Sequence, residues 1–443
     1  MKRQLHLNLF IQGRGSHEAA WRHPLSSTAE LTDISYYQNL ARRAEAGLFD
    51  SIFFADQLTT NTAQTKSAKA LQVWLEPITM LAAIAVATTR IGLIATGSST
   101  YTEPFNLARQ FASIDHISQG RAGWNIVTSW MAAAARNFGD TGQLSHSERY
   151  ALAEEHVQIV KGLWDSWADD TIIDDRQNAV FANTDRIRPI DFKGEYFNVA
   201  GPLNLPRGPQ GHPVLVQAGS SEDGRGFAAR HAEAVFTAHI EKTTAQAFYS
   251  DMKKRVAAEG RRPDQVLILP GLCPTIASTE AEAKRLLLEL SNYADVEIAV
   301  KYLGTWFGGH DFSHLPLDRS LTVADFPDLS NIETSKSRTE MVINLIKREE
   351  ITLRELLARF AHIGGHYLFA GTAEQVADLI EDWFLDGAAD GFNLMPPLLP
   401  TMLDIFIDEV VPLLQRRGLF RTEYQGTTLR EHYGLKRPPS AFA

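Results

Sequence analysis

Ile91-Gly-Leu-Ile-Ala-Thr96, an apolar-periodic run from Leu107 to Ile117, and Ala122-Gly-Trp-Asn-Ile-Val-Thr128 decide how this chain folds. Two short β-rich runs joined by one helix-length pattern make a parallel strand pair with a crossover helix, because parallel strands cannot be joined by a tight turn. The same unit recurs on the N-terminal side. Leu5 to Ile11 is the first strand, and a helix from about Ser35 to Ala46 ends at Gly47, a good C′ residue. Ser51-Ile-Phe-Phe-Ala-Asp56 follows as the second strand, and a helix near Ile78 to Thr88 leads into Ile91.

On the C-terminal side the period breaks between about Trp167 and Gly211, where Asp, Asn, Pro and Gly dominate. It resumes with strands at Pro213 to Gly219, Ala234 to Ala238 and Val266 to Ile276. A second irregular region follows Tyr293, contains Gly308-Gly309 and reaches about Arg338; the last strand is Asp390 to Met395, before a helix from Met402 to Gln415. Eight strands alternating with helices predict an α/β fold, a (β/α)8 TIM barrel in one domain over 1–443, with insertions at about 168–211 and 295–340. The tail, 421–443, carries Pro438-Pro439 and is expected to be extended and exposed, packing across a subunit interface in a homodimer or homotetramer.

With 43 basic and 53 acidic residues the chain has a net charge of −10 and no block of either sign, so no nucleic-acid partner is expected. A single cysteine, Cys273, excludes an internal disulfide and a thiolate-rich metal site, which fits a reducing cytoplasm. No run of apolar residues is long enough to span a membrane, and the apolar stretch after Met1 is too short for a signal peptide. No Gly-x-Gly-x-x-Gly follows an early strand, so no dinucleotide fold is expected.

A barrel of this kind carries its chemistry at the C-terminal ends of the strands. The polar residues there include Asp56, Thr96, Asn125, Gln217, Ser220, Ser221, His239 and Asn393. They contain no Ser-His-Asp order, no matched carboxylate pair and no metal triad, so the set suits holding a cofactor better than acid/base work. Ser145-His-Ser-Glu148 fits a capping box that opens the fourth helix, putting His146 and Tyr150 on one face as binding donors or as plain packing. Gln217-Ala-Gly-Ser220-Ser221 ends a strand and opens a helix, which serves either an anion site or an ordinary N-cap. Glu222 and Asp223 place negative charge there, and Arg225 offsets it. Asp56 would accept from a bound heterocycle or cap a turn; Thr96 would donate to a ring carbonyl or to local backbone. His310 with His314 and His362 with His366 have metal-like spacing but no Glu base between them, and Cys273 reads as a buried thiol, so no metal site is expected.

Longer stretches carry a resemblance. Glu76-Pro-Ile-Thr, Ile91 to Tyr101, Glu103 to Arg109, Phe111 to Ser118, Gly120 to Ser129, Asn137-Phe-Gly139, Gly201-Pro-Leu-Asn204, Gly371 to Ala377 and Arg416 to Arg421 resemble the nitrilotriacetate, EDTA and dibenzothiophene-sulfone monooxygenases of the bacterial-luciferase-like superfamily. The resemblance covers nearly the whole chain. It implies the oxygenase of a two-component system that takes reduced FMN from a separate NAD(P)H:flavin reductase and inserts one atom of O2 into a small substrate. It also implies flavin contacts at Asp56, Thr96, His146, Tyr150, Ser220 and Ser221, with Asn125 facing the cofactor and His146 as a donor beside the ring. The loop from Gln57 to Ala63 is shorter than the family pattern and leaves the substrate end undefined. The alternatives are a deazaflavin-dependent oxidoreductase of the same fold and a non-catalytic flavin-binding protein.

Overall fold

The computed structural model describes residues 3–60, 73–129, 131–139, 144–293, 295–329, 332, 336–361 and 365–441. Eight strands close a barrel: β1 His6–Phe10, β2 Ser51–Phe54, β3 Gly92–Ser98, β4 Ala122–Val127, β5 Val214–Gln217, β6 Ala234–Thr237, β7 Leu267–Ile276 and β8 Gly391–Leu394. Each pairs in parallel with the next, and β8 returns to β1. Every one of these strands was legible in the sequence, because a strand buried on both faces reads as an apolar run. Alternate side chains point inward, where Phe10, Phe53, Ile94, Val216, Phe236 and Leu269 fill the interior.

The outer ring comprises α1 Ile34–Ala46, α2 Pro77–Ala85, α3 Pro104–Ile117, α4 His146–Trp164, α5 Glu222–His231, α6 Lys242–Ala258, α7 Ala373–Leu385 and α8, Thr401–Ile405 continued through Phe406–Val410 to Val411–Arg416. The middle of α8 is a π-turn. Pro412 explains it, since its ring cannot accept the regular turn before it. At the end of α1 the left-handed residue is Leu48, with φ 62°, and not Gly47, whose φ is −78°. Gly47 is needed for close approach instead: a Cβ there would lie 2.7 Å from Ile407 on α8.

The first insertion holds two small hairpins, Ile172–Asp175 with Val180–Ala182 and Phe192–Lys193 with Asn198–Val199. The second, expected to be irregular and to end near residue 340, runs further and is helical in part, with helices Val296–Trp306, Lys336–Arg348 and Leu353–Ala361. They bury an apolar cluster of their own around Leu303, Trp306, Phe312 and Leu345. A strand the sequence reading did not identify, Tyr367–Gly371, then extends the sheet beside the far half of β7.

The tail corrects a further expectation in part. Much of it is exposed, Pro439 included, but a short helix, Leu429–His432, with a capping box between Thr428 and Glu431, enters the N-terminal end of the barrel. Leu429 occupies space left by two glycines, since a Cβ on Gly92 would come 2.4 Å and one on Gly123 3.2 Å from its methyl groups. Tyr433 donates to Asn8 at 3.0 Å, and Arg430 grips Glu233 with two bonds of 2.6 and 2.9 Å. Arg421 pairs with the fully buried Asp50, which also meets His6 at 3.0 Å. Pro and polar composition suggested an open tail, but Leu429, Tyr433 and Leu435 are the apolar residues that seat it.

Candidate active site

The N-terminus of α4 is set by local chemistry. Ser145 Oγ accepts from Glu148 N at 3.3 Å while Glu148 accepts from Ser145 N at 2.8 Å, so the expected capping box is formed. His146 and Tyr150 consequently share a face, with ring centroids 5.1 Å apart. At α5 the N-cap is Ser221, whose Oγ accepts from Gly224 N at 3.1 Å. Gly219 and Gly224 admit the Tyr150 hydroxyl: a Cβ on either would fall 2.6 or 2.8 Å from it. Burial holds the Tyr150 phenol above its ordinary value, opposed by hydrogen bonds from Ser221, Thr128 and Gln217.

These residues border a cavity of about 920 Å³ over the C-terminal ends of β4, β5 and β6. His146, Tyr150, Ser220 and Ser221 all line it; Asp56 and Thr96 do not. Thr96 donates to Phe54 O at 3.0 Å and accepts from Asn125 Nδ2 at 2.9 Å, so its hydroxyl already satisfies local groups. Asp56 lies two residues beyond β2 and accepts from Gln57 N at 2.8 Å. Burial raises its carboxyl to about 6, with Glu76 adding to the shift and the Gln57 bond opposing it. Asn125 keeps one buried, unpartnered oxygen.

The acidic pair beside Ser221 is engaged by neighbouring side chains. Glu222 binds Arg225 and Arg255, and Asp223 accepts from His146 Nδ1 at 2.8 Å. That bond leaves His146 Nε2 to accept from Ser221 Oγ at 3.3 Å, so in this tautomer His146 holds the serine hydroxyl and is not itself the free donor. Ser221, His146 and Asp223 thus stand in a line the sequence order did not suggest. It lacks the buried acid of a nucleophilic relay, because the Asp223 side chain is 49% exposed. What the site offers is an anion seat: the Ser220 hydroxyl, the first N–H groups of α5 and, once its bond to His146 is exchanged, the Ser221 hydroxyl, with the cationic Arg149 on the same wall.

On the far side, His239 is lowered to about 4 by burial, and His366 to about 3 by burial and by Arg338. The His366 ring stacks on Phe236 with centroids 4.8 Å apart. Both histidines are neutral at pH 7. Sequence reasoning missed Arg149, one residue before Tyr150, and the polar face of helix Lys336–Arg348, whose apolar positions Val342, Leu345 and Ile346 were the available signal.

His310 and His314 have ring centroids 6.5 Å apart, His362 lies outside the described residues, and no group of three potential metal ligands occurs among the described ones. The loop from Gln57 to Ala63 is described only as far as Thr60. Cys273 is buried, donates to Met395 O at 2.7 Å and has its thiol pushed up by burial.

Residues 14–390 match the family model described as luciferase-like monooxygenase. The chain is 46% identical to N-acetyl-S-(2-succino)cysteine monooxygenase of Bacillus subtilis (strain 168), covering 100% of this chain and 99% of that one. It is 44% identical to nitrilotriacetate monooxygenase component A of Aminobacter aminovorans, covering 100% and 98%. Among solved structures, EDTA monooxygenase from Chelativorans sp. BNC1 superposes with a TM-score of 0.79 at 36% identity, over 98% of this chain and 99% of that one. The chain therefore belongs to the luciferase-like monooxygenase family and is a flavin-dependent monooxygenase.

Proposed function

We propose that this chain is the oxygenase component of a two-component system, taking reduced FMN from a separate NAD(P)H:flavin reductase and inserting one atom of O2 into a small organic substrate. The observation that carries this reading is the cavity over β4–β6, walled by the anion seat at α5 and by the His146–Tyr150 face. Its volume lies within the range of roughly 300–1,000 Å³ typical of cofactor sites. The component A designation of the nitrilotriacetate relative supports the division of labour with a reductase.

When bound, reduced FMN supplies the oxygen-activating chemistry. The chain's own residues bind and shield it. The Ser220 hydroxyl and the N–H groups at the start of α5 receive the phosphate, Ser221 joins them when its hydroxyl turns from His146, and Arg149 is the counter-charge. Tyr150, held over Gly219 and Gly224, and His146, pinned by Asp223, orient what lies above them. Ile126, Phe236, Ile240 and Phe248 exclude water from that wall of the cavity. In this reading Thr96 and Asp56 support the floor and rim through their own hydrogen bonds. The protein is proposed to act in the cytoplasm as a homodimer or homotetramer.

The test is an anaerobic titration with reduced FMN beside NADH, followed by oxygen uptake with and without an added flavin reductase. Tight binding of reduced FMN, and NADH oxidation only with the reductase, is the expected result. Rapid NADH oxidation by the isolated chain overturns the two-component reading.

A further inference from the structure

The outer hairpin of the first insertion turns its large apolar side chains to solvent. Ile172, Ile173, Val180 and Phe181 are all exposed, Phe181 by 68%, whereas the other exposed large hydrophobics among the described residues occur singly or in pairs along the chain. Neighbouring residues on a strand point to opposite faces, so both faces of the pair Ile172–Asp175 and Val180–Ala182 are apolar. No third strand pairs with these two among the described residues. A two-stranded hairpin is marginal in water and gains stability when another layer covers it, and a concentrated apolar patch marks a contact surface.

The arm is firmly rooted. Ala168 N donates to Arg186 O at 3.0 Å, Asn183 N to Thr171 O at 2.9 Å and Trp167 Nε1 to Leu203 O at 2.7 Å. At the tip Asp175 accepts from Gln177 N and Asn178 N at 3.0 and 3.1 Å, which closes the turn and leaves Arg176 88% exposed, with only a 3.5 Å contact to Asp174. Tip and base each carry both signs of charge: Asp174 and Arg176 at the tip, Asp185 and Arg188 at the base, all exposed. Apolar side chains lie between. A two-fold contact requires a surface that complements itself. Two such arms laid antiparallel satisfy this, since apolar middle meets apolar middle and each tip offers the other base the opposite charges.

We propose that this hairpin is an oligomerisation arm, which crosses its counterpart on a second copy of the chain, tip against base, about a two-fold axis. This rests on the homo-oligomer of the proposed function and names the surface that makes it. Burial of the apolar middle drives association, and the charged ends set the direction in which the arms cross.

The experiment uses the full chain, with self-association measured by analytical ultracentrifugation at low and high salt. A monomeric parent overturns the homo-oligomer reading and this inference together. An oligomeric parent whose mass survives the hairpin variants overturns this inference alone. Phe181→Asp and Ile173→Asp should each weaken self-association at least thirtyfold, and Phe181→Ser, which adds no charge, at least fivefold. Because these side chains are exposed on the single chain, FMN affinity should stay within twofold of the parent, which shows that the variants fold. Arg176→Asp and Asp185→Arg should each weaken association at least threefold at low salt and less at high salt. Combined in one chain they exchange the two charges across the axis and should restore the parent value within twofold; no recovery overturns the tip-to-base crossing. Unchanged mass with loss of reductase-supported oxygen uptake would assign the arm to the reductase and also overturns the proposal.

Discussion

The two ends of the barrel treat charge differently. At the N-terminal end the tail enters the barrel and the buried charges meet opposite charges: Asp50 faces Arg421 and His6, and Glu233 faces Arg430. At the C-terminal end the cavity lining includes the exposed Lys347 and Arg338, which lies over the Trp306 ring, neither of them ion-paired among the described residues, and Asn125 and Asn393 each retain an unpartnered oxygen in the barrel interior. A buried charge is tolerated only when paired, so the base is built to hold the fold together. The mouth leaves some of its polar groups unmatched by the chain itself, which is how a scaffold keeps binding capacity for something else.

If that division is right, substitutions at the base should change stability and spare binding. Arg421→Met should have the largest effect: it strands the fully buried Asp50 charge and should cost about 3–5 kcal/mol in a denaturant melt. FMN affinity of the folded fraction should stay unchanged, and a loss of affinity without loss of stability would break the contrast. The Asp50 carboxyl is held below its ordinary value of 3.8 in the fold, where burial is outweighed by Arg421 and His6. Its contribution is therefore complete above pH 3.8 and lost as pH falls through the folded value, so the parent should lose stability below pH 4 more steeply than the variant.

Leu429→Ala should come next. It empties the space between Gly92 and Gly123 and should cost about 2–5 kcal/mol, again by melting. A wild-type melt would mean that the tail does not close the barrel in solution.

At the mouth the effects should reverse. Tyr150→Phe removes one hydroxyl from above Gly219 and Gly224 and should weaken FMN binding roughly five- to thirtyfold, about 1–2 kcal/mol, with little change in melting. A large fall in melting temperature with unchanged FMN affinity would make the His146–Tyr150 face a packing feature.

The smallest effect is expected at the rim. Asp56, raised to about 6, favours the fold in its protonated form, so its contribution declines as pH rises from 3.8 to about 6. Asp56→Asn should remove that decline and leave a flatter stability profile between pH 4 and 7. An unchanged profile would show that Asp56 is well solvated.

Much of this was written in local sequence. The eight strands, the capping box from Ser145 to Glu148 and the N-cap at Ser221 depend on periodicity and on residues three apart, interactions that a short segment satisfies by itself. The grouping of His146, Tyr150, Ser220 and Ser221 on one cavity followed from the start of the fourth helix for the first two and the end of a strand for the serines, once the barrel was recognised. Thr96 and Asp56 occupy strand-end positions too, yet their partners, Phe54 O and Gln57 N, engage them locally. The tail plug and the charge lining of the cavity were not legible. Leu429 meets Gly92 and Gly123 across most of the chain, and Lys347 faces the cavity only because Val342, Leu345 and Ile346 choose the opposite side of their helix. Local pattern determined which elements form; packing between elements distant in sequence decided which polar groups were left for a ligand, because only closing the barrel settles which charges find partners.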